Sequence, residues 1–175
     1  MGGREQQAYR AGVGNLNRMT IFNRPDLAFA VLKLVRHLAT PTALHTTALV
    51  HTPKYAVMTR HFVLRYRRQP FINPAICTAE VSTFVSHNRV VCFYDAGFAN
   101  AIDTHKPHTG CVSIPSNAAI NWKSFMQRLV ASSFTKSEYL ALSYCVKQTE
   151  YMRHILAFLD QAQTTPTSVL EDNAS

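Results

Sequence analysis

The sequence predicts an α+β chain in two parts: a basic helical segment, then a mixed sheet that carries one long amphipathic helix. Three observations predict it. Charge is divided unevenly, because residues 1–68 hold eleven of the eighteen Lys and Arg but two of the ten Asp and Glu. From Arg89 the pattern changes to short β-type runs. Finally, Tyr139, Leu142, Val146, Met152, Ile155, Leu156 and Leu159 recur at three- and four-residue steps within residues 135–160, one face of a helix.

Taken in order, the first part (residues 1–68) reads as helical. Pro25 suits a first helical turn, with Asn23 before it as a cap. Leu27, Phe29, Ala30, Leu32, Leu34, Val35 and Leu38 then run to Pro41, a crowded pattern that suits a helix packed on more than one side. A second helix starts near Thr42, and Pro53 is expected to break or kink it. Residues 69–88 contain Pro70 and Pro74, show no clear period, and read as a linker or an insertion. The second part, residues 89–175, opens with Val90, Val91, Cys92, Phe93 and Tyr94, a strand expected to end at Asp95. Residues 110–114 and 119–122 are two more strands, with a turn at 115–117. The long helix follows, then a loop at 161–167, then a strand starting at Ser168. The expected order is strand, strand, strand, helix, strand.

Composition narrows the function classes. Hydrophobic residues make up 47% of the 175, enough for a packed core and against wholesale disorder. No apolar run is long enough for a membrane span, and the polar first ten residues lack a secretory signal, so an intracellular, unsecreted protein is expected. Cys77, Cys92, Cys111 and Cys145 are isolated, which argues against a zinc site and a disulfide framework; they read as small core residues in a reducing compartment. Gly12-Val13-Gly14 is a lone G-x-G with no third glycine, and the eight histidines are scattered. The net charge of +8, concentrated in the first part, suggests a polyanion surface there; a solvated helix face accounts for it equally well.

Acidic residues are scarce enough for their placement to be informative. Asp95 ends a strand, Glu138 sits in the first turn of the long helix, and Asp172 follows the last strand. Carboxylates converging from such positions supply the hard oxygen ligands that magnesium needs. Two ions roughly 4 Å apart can activate a water and steady a leaving oxygen in phosphodiester hydrolysis. Structural readings stand beside this one. Thr135 and Glu138 form a T-x-x-E capping box, Asp95-Ala96-Gly97 is a plausible turn, and Asp172 lies in a polar tail.

Several blocks resemble a known family. Tyr9-Arg10-Ala11-Gly12-Val13-Gly14-Asn15-Leu16, followed by Asn23-Arg24-Pro25-Asp26-Leu27-Ala28-Phe29-Ala30-Val31, resembles the Y-R-x-x-V-G-x-L … T-R-P-D-I-A-Y-A-V signature of copia-type retrotransposon polyproteins. Tyr94-Asp95-Ala96-Gly97-Phe98-Ala99, Thr109-Gly110-Cys111 and Ile120-Asn121-Trp122-Lys123-Ser124 are similar to S-D-A-D-W-A … S-G-Y … I-S-W-K-S. Ser137-Glu138-Tyr139-Leu140-Ala141-Leu142-Ser143 matches A-E-Y-x-A-L-S, and Pro166-Thr167 with Glu171-Asp172-Asn173 matches P-T … x-D-N. The blocks keep their order over nearly the whole chain.

The resemblance implies the end of a reverse transcriptase in residues 1–68 and a ribonuclease H-like mixed sheet, truncated, in residues 89–175. It implies that the acidic residues at Asp95, Glu138 and Asp172 are the catalytic, metal-binding set, holding two Mg2+ ions that cleave the RNA strand of an RNA–DNA hybrid. Arg60, Arg65, Arg67 and Arg68 are the candidate nucleic-acid contacts, since Lys and Arg neutralise phosphates without reading sequence. The remainder of the polyprotein is a further expected partner. The chain departs from the pattern at Gly97, where the family carries a second Asp, and at Phe134 and Lys136; Lys136 puts positive charge into a helix N-terminus. The family's last metal-binding acidic residue lies beyond an Asp-Asn block like Asp172-Asn173. The expected state is therefore an inactive ribonuclease H relative, with a non-enzymatic, basic nucleic-acid-binding remnant as the alternative.

Overall fold

The computed structural model describes residues 2–66, 89–97, 106–115, 118–130 and 132–171, and the chain divides into two compact units, residues 1–64 and 65–175. The expected linker at 69–88, the turn residues 116 and 117, Arg67, Arg68 and Asp172 lie outside the described residues.

The first unit is helical. Helix α1 (Gly3–Phe22) opens at Gly2, whose backbone N–H donates to the Glu5 carboxylate at 3.0 Å. Tyr9, Val13 and Leu16 fall three and four residues apart, so all three face the same core. The helix ends at Asn23, which caps α1 and does not start the next helix as expected. Pro25 opens a single 3-10 turn (Pro25–Leu27), because its missing N–H costs nothing at a first position. Helix α2 (Ala28–Val35) follows and places Val31 and Leu34 in the core. Helix α3 (Ala43–Met58) opens at Thr42 and runs through Pro53 without the expected break. Its first turn is closed by His45, whose Nδ1 accepts from the Thr42 backbone N–H at 3.0 Å. The His45 ring stacks on His37 with centroids 3.7 Å apart.

Gly12 has a packing reason. A Cβ there would sit 3.0 Å from the Leu49 Cδ2 of α3, so the missing side chain lets the two helices approach closely. Gly14 meets nothing comparable.

In the second unit a four-stranded sheet carries one helix. Strand β1 (Val90–Gly97) pairs antiparallel with β2 (His108–Pro115), which pairs antiparallel with β3 (Asn121–Met126). Helix α4 (Phe134–Phe158) then crosses over to β4 (Ser168–Glu171), which lies parallel to β1 on its other side. The spatial order is β3-β2-β1-β4. The predicted sequence of three strands, a helix and a strand is observed, as is a mixed helix-and-sheet class; β1 runs two residues past Asp95, and β3 starts and ends later than expected.

The buried face of α4 is Ser137, Glu138, Ala141, Cys145, Thr149 and Met152, whereas Tyr139 and Val146 of the predicted stripe are exposed. Small side chains let the helix lie close over Val90, Cys92, Tyr94 and Ala96 of β1. Bulkier residues therefore fall on its flanks and outer side.

Candidate functional site

β1 alternates regularly, its register with β2 being unbroken from Val90 to Gly97. Successive side chains on a strand point to opposite faces. Tyr94 and Ala96 belong to the core under α4, so Asp95 between them turns the other way and is exposed. Asp95-Ala96-Gly97 is strand, and the turn reading of these residues is corrected.

Glu138 is placed by the first turn of α4. The N-cap of this helix is Ser133, whose hydroxyl accepts from the Lys136 backbone N–H at 3.2 Å, so the expected Thr135/Glu138 capping box is not formed. Glu138 is instead turned inward and 7% exposed. Its negative charge reaches Tyr94, whose hydroxyl donates to Glu171 Oε2 at 2.7 Å. Burial first, then the Glu171 hydrogen bond and the charges of Glu171 and Glu138, push the Tyr94 phenol well above its ordinary range. Glu171 faces Tyr94 as its partner across the parallel β1–β4 pairing. The cluster at this end of the sheet is thus Tyr94, Glu138 and Glu171, with Asp95 one residue along β1.

Sequence reasoning singled out Asp95 and Glu138 here and missed Tyr94 and Glu171. In the sequence Tyr94 reads as a strand residue, and Glu171 only as a neighbour of Asp172. The signal that finds Glu171 is the parallel pairing, which a sequence does not display. Among the described residues, no three His, Cys, Asp or Glu side chains are grouped so as to hold a metal ion. A buried Glu138 and an Asp95 turned to the other face do not by themselves fit the convergent oxygen set of a two-ion magnesium site.

The basic residues of the first unit are partly engaged. Arg24, 6% exposed, forks onto Asp26 through Nε and Nη2 at 2.9 and 2.7 Å, and also donates to the Ala56 carbonyl and to Thr59 Oγ1. Arg10 donates to the Leu38 carbonyl, while Arg18 and Lys33 lie over the rings of Phe22 and Phe29. Arg60 and Arg65 are exposed and fall in different units.

The signature blocks thus occupy definite places in both units. Comparison with curated proteins agrees with them. Over 149 residues, 85% of its length, the chain is 30% identical to the retrovirus-related Pol polyprotein from transposon TNT 1-94 of Nicotiana tabacum. Over 165 residues it is 26% identical to the corresponding polyprotein from transposon RE1 of Arabidopsis thaliana. Over most of its length the chain is thus related to retrovirus-related Pol polyproteins of transposons. It spans 10% of the length of each of these two Pol polyproteins. It is also 26% identical over 144 residues to the secreted RxLR effector protein 161 of Plasmopara viticola, covering 90% of that protein. No family model and no solved structure matches. Matches of this length run through both units. Among the described residues, no helix is long and apolar enough to cross a membrane.

Proposed function

We propose that residues 89–175 derive from a ribonuclease H-like domain, that residues 1–68 derive from the end of the reverse transcriptase before it, and that the chain as it stands does not cleave RNA–DNA hybrids. One observation carries the ancestry. β4 lies parallel to the central β1 and places a carboxylate beside Tyr94, while Glu138, buried on the sheet-facing side of α4, acts on the same tyrosine through its charge. Glu138 and Glu171 at this corner, and Asp95 on the other face of β1, lie in blocks that resemble the copia-type pattern. Asp172, the third predicted ligand, is adjacent to Glu171 in sequence.

The lack of activity is supported by chemistry at the same corner. Two-ion hydrolysis needs several carboxylates directed at one point, and magnesium gives up its water reluctantly. Asp95 is turned from the helix-covered face, Glu171 is engaged by Tyr94, and Gly97 stands where the family has a second Asp. Lys136 adds positive charge two residues before Glu138.

The test is a hybrid-cleavage assay of the whole chain with magnesium and with manganese, beside Asp95→Asn. No cleavage above that of the substituted chain is expected. Cleavage that the unsubstituted chain shows and Asp95→Asn lacks would overturn the reading and make the chain an enzyme.

A second reading is favoured by the charge of the first part, where residues 1–68 hold eleven of the eighteen Lys and Arg. On this reading the chain acts inside the cell without catalysis, its first unit holding RNA or DNA through exposed basic residues, Arg60 among them. Binding should be weak, indifferent to sequence, and steeply reduced as salt rises. A filter-binding titration at two salt concentrations decides it; salt-independent binding, or none at low salt, discards it.

A further inference from the structure

We propose that Cys111 and Cys145 are a redox-sensitive pair that closes into a disulfide between β2 and α4 when the chain meets a peroxide. The two sulfurs lie 3.4 Å apart under the helix, one on a strand and one on α4. A disulfide bond is about 2.05 Å long, so closure asks for a movement of roughly 1.4 Å, within reach of side-chain rotation. Cys92 is the third thiol in the cluster; it also interacts with Cys145, but it is fully buried and further engaged by Ser113 Oγ at 3.2 Å and Thr149 Oγ1 at 2.9 Å.

Access separates the roles. Cys111 is 7% exposed, whereas Cys92 and Cys145 are 0% exposed, so a small oxidant meets Cys111 first. The hydrogen bond shared with Cys145 holds the Cys111 thiol below its ordinary range, while Cys145 is itself pushed up to about 12 by the hydrogen bond with Cys111 and by burial. Cys111 is therefore the attacking sulfur and Cys145 the resolving one.

In the first step the Cys111 thiolate attacks one peroxide oxygen, the O–O bond breaks, and hydroxide leaves, giving a sulfenic acid. In the second step the Cys145 sulfur attacks the Cys111 sulfur, the S–O bond breaks, and the Cys145 proton leaves with the hydroxyl as water. Two thiols and one hydrogen peroxide give one disulfide and two waters; sulfur is oxidised and peroxide reduced. The link joins residues 34 positions apart and fixes α4, with Glu138 on the same face, against the sheet.

The experiment treats the whole chain with hydrogen peroxide under native conditions, then denatures it, alkylates it and maps its peptides by mass. Two of the four thiols should be lost, and the peptides holding Cys111 and Cys145 should be joined. The link should survive Cys92→Ser and vanish in Cys145→Ser. If either variant fails to fold, the map of the unsubstituted chain decides alone. Absence of thiol loss, a dominant link through Cys77 or Cys92, or a link between two chains overturns the proposal.

Discussion

In the helical unit the polar atoms of the signature residues are turned onto protein. Tyr9 donates its hydroxyl to the Leu34 carbonyl at 2.9 Å, and Arg24 divides its guanidinium among Asp26, Ala56 and Thr59. In the sheet unit the signature carboxylates sit at the boundary between core and solvent, with Glu138 buried beside Tyr94 and Asp95 exposed. A family signature can therefore record two different requirements. Residues 9–31 carry theirs because three helical pieces must be latched together. Residues 94–97 and 137–143 carry theirs around acidic side chains, where stability alone offers little reason for a buried Glu.

The largest effect that tests this difference belongs to Tyr9. It is 2% exposed, fills the core between α1 and α2, and hydrogen-bonds across it. Tyr9→Ala should cost about 4 kcal/mol, the range for removing a large buried aromatic side chain. Tyr9→Phe, which keeps the ring, should cost about 1 kcal/mol. Far-UV circular dichroism in a urea titration reads the helices, and Trp122, the only tryptophan, reads the sheet unit by fluorescence. The dichroism midpoint should fall further than the fluorescence midpoint. Equal shifts would erase the distinction between the units.

Next in size is the Arg24 clamp. Arg24→Ala leaves Asp26 without its ion-pair partner, with Tyr55 still bonded to it, and the Ala56 carbonyl without its donor, and should cost about 3 kcal/mol. Arg24→Lys should restore only part of this, because a single ammonium cannot supply the fork. The hydrogen bond from Arg24 holds the Asp26 carboxyl below its ordinary value of 3.8. As pH falls the unfolded chain takes up this proton first. The stabilisation is then complete above about 3.8 and is lost as pH drops through the lowered folded value. Titrating stability from pH 5 to pH 2 should show that slope in the parent chain and not in Asp26→Asn.

Much of this architecture was legible in the sequence, and the exceptions have physical causes. The order of strands and the long helix followed from local periodicity, which the fold preserved. The buried face of α4 did not, since a hydrophobicity count favours Tyr139 and Val146 where the sheet requires Ala141 and Cys145. Pro53 removes one donor from α3, yet the surrounding turns carry the helix through it. Asn23 and Thr135 are good capping residues by type, but the chain uses Asn23 to end α1 and Ser133 to begin α4. At the candidate site Asp95 and Glu138 could be named from their blocks. Glu171 could not, because its partner Tyr94 lies 77 residues away and meets it only through parallel pairing.

The smallest effect concerns that last contact. Tyr94→Phe keeps the ring in the core and removes only the hydroxyl that donates to Glu171. Hydrogen bonds to a charged group contribute about 1.5–3 kcal/mol when well enclosed. Glu171 is exposed and recovers water when the donor goes, so the loss should be about 1 kcal/mol or less. Its consequence should be local, because β4 is four residues long and pairs with β1. Amide hydrogen exchange should quicken at Val169 and Leu170 while Cys92 and Phe93 change little. If exchange quickens equally along β1, the Tyr94–Glu171 bond supports the whole sheet, and the acidic corner is a latch of the same kind as Arg24 and Asp26. If β4 alone loosens, the bond positions one carboxylate beside Glu138 and adds little to the fold, which is the behaviour expected of a corner inherited from a reactive site.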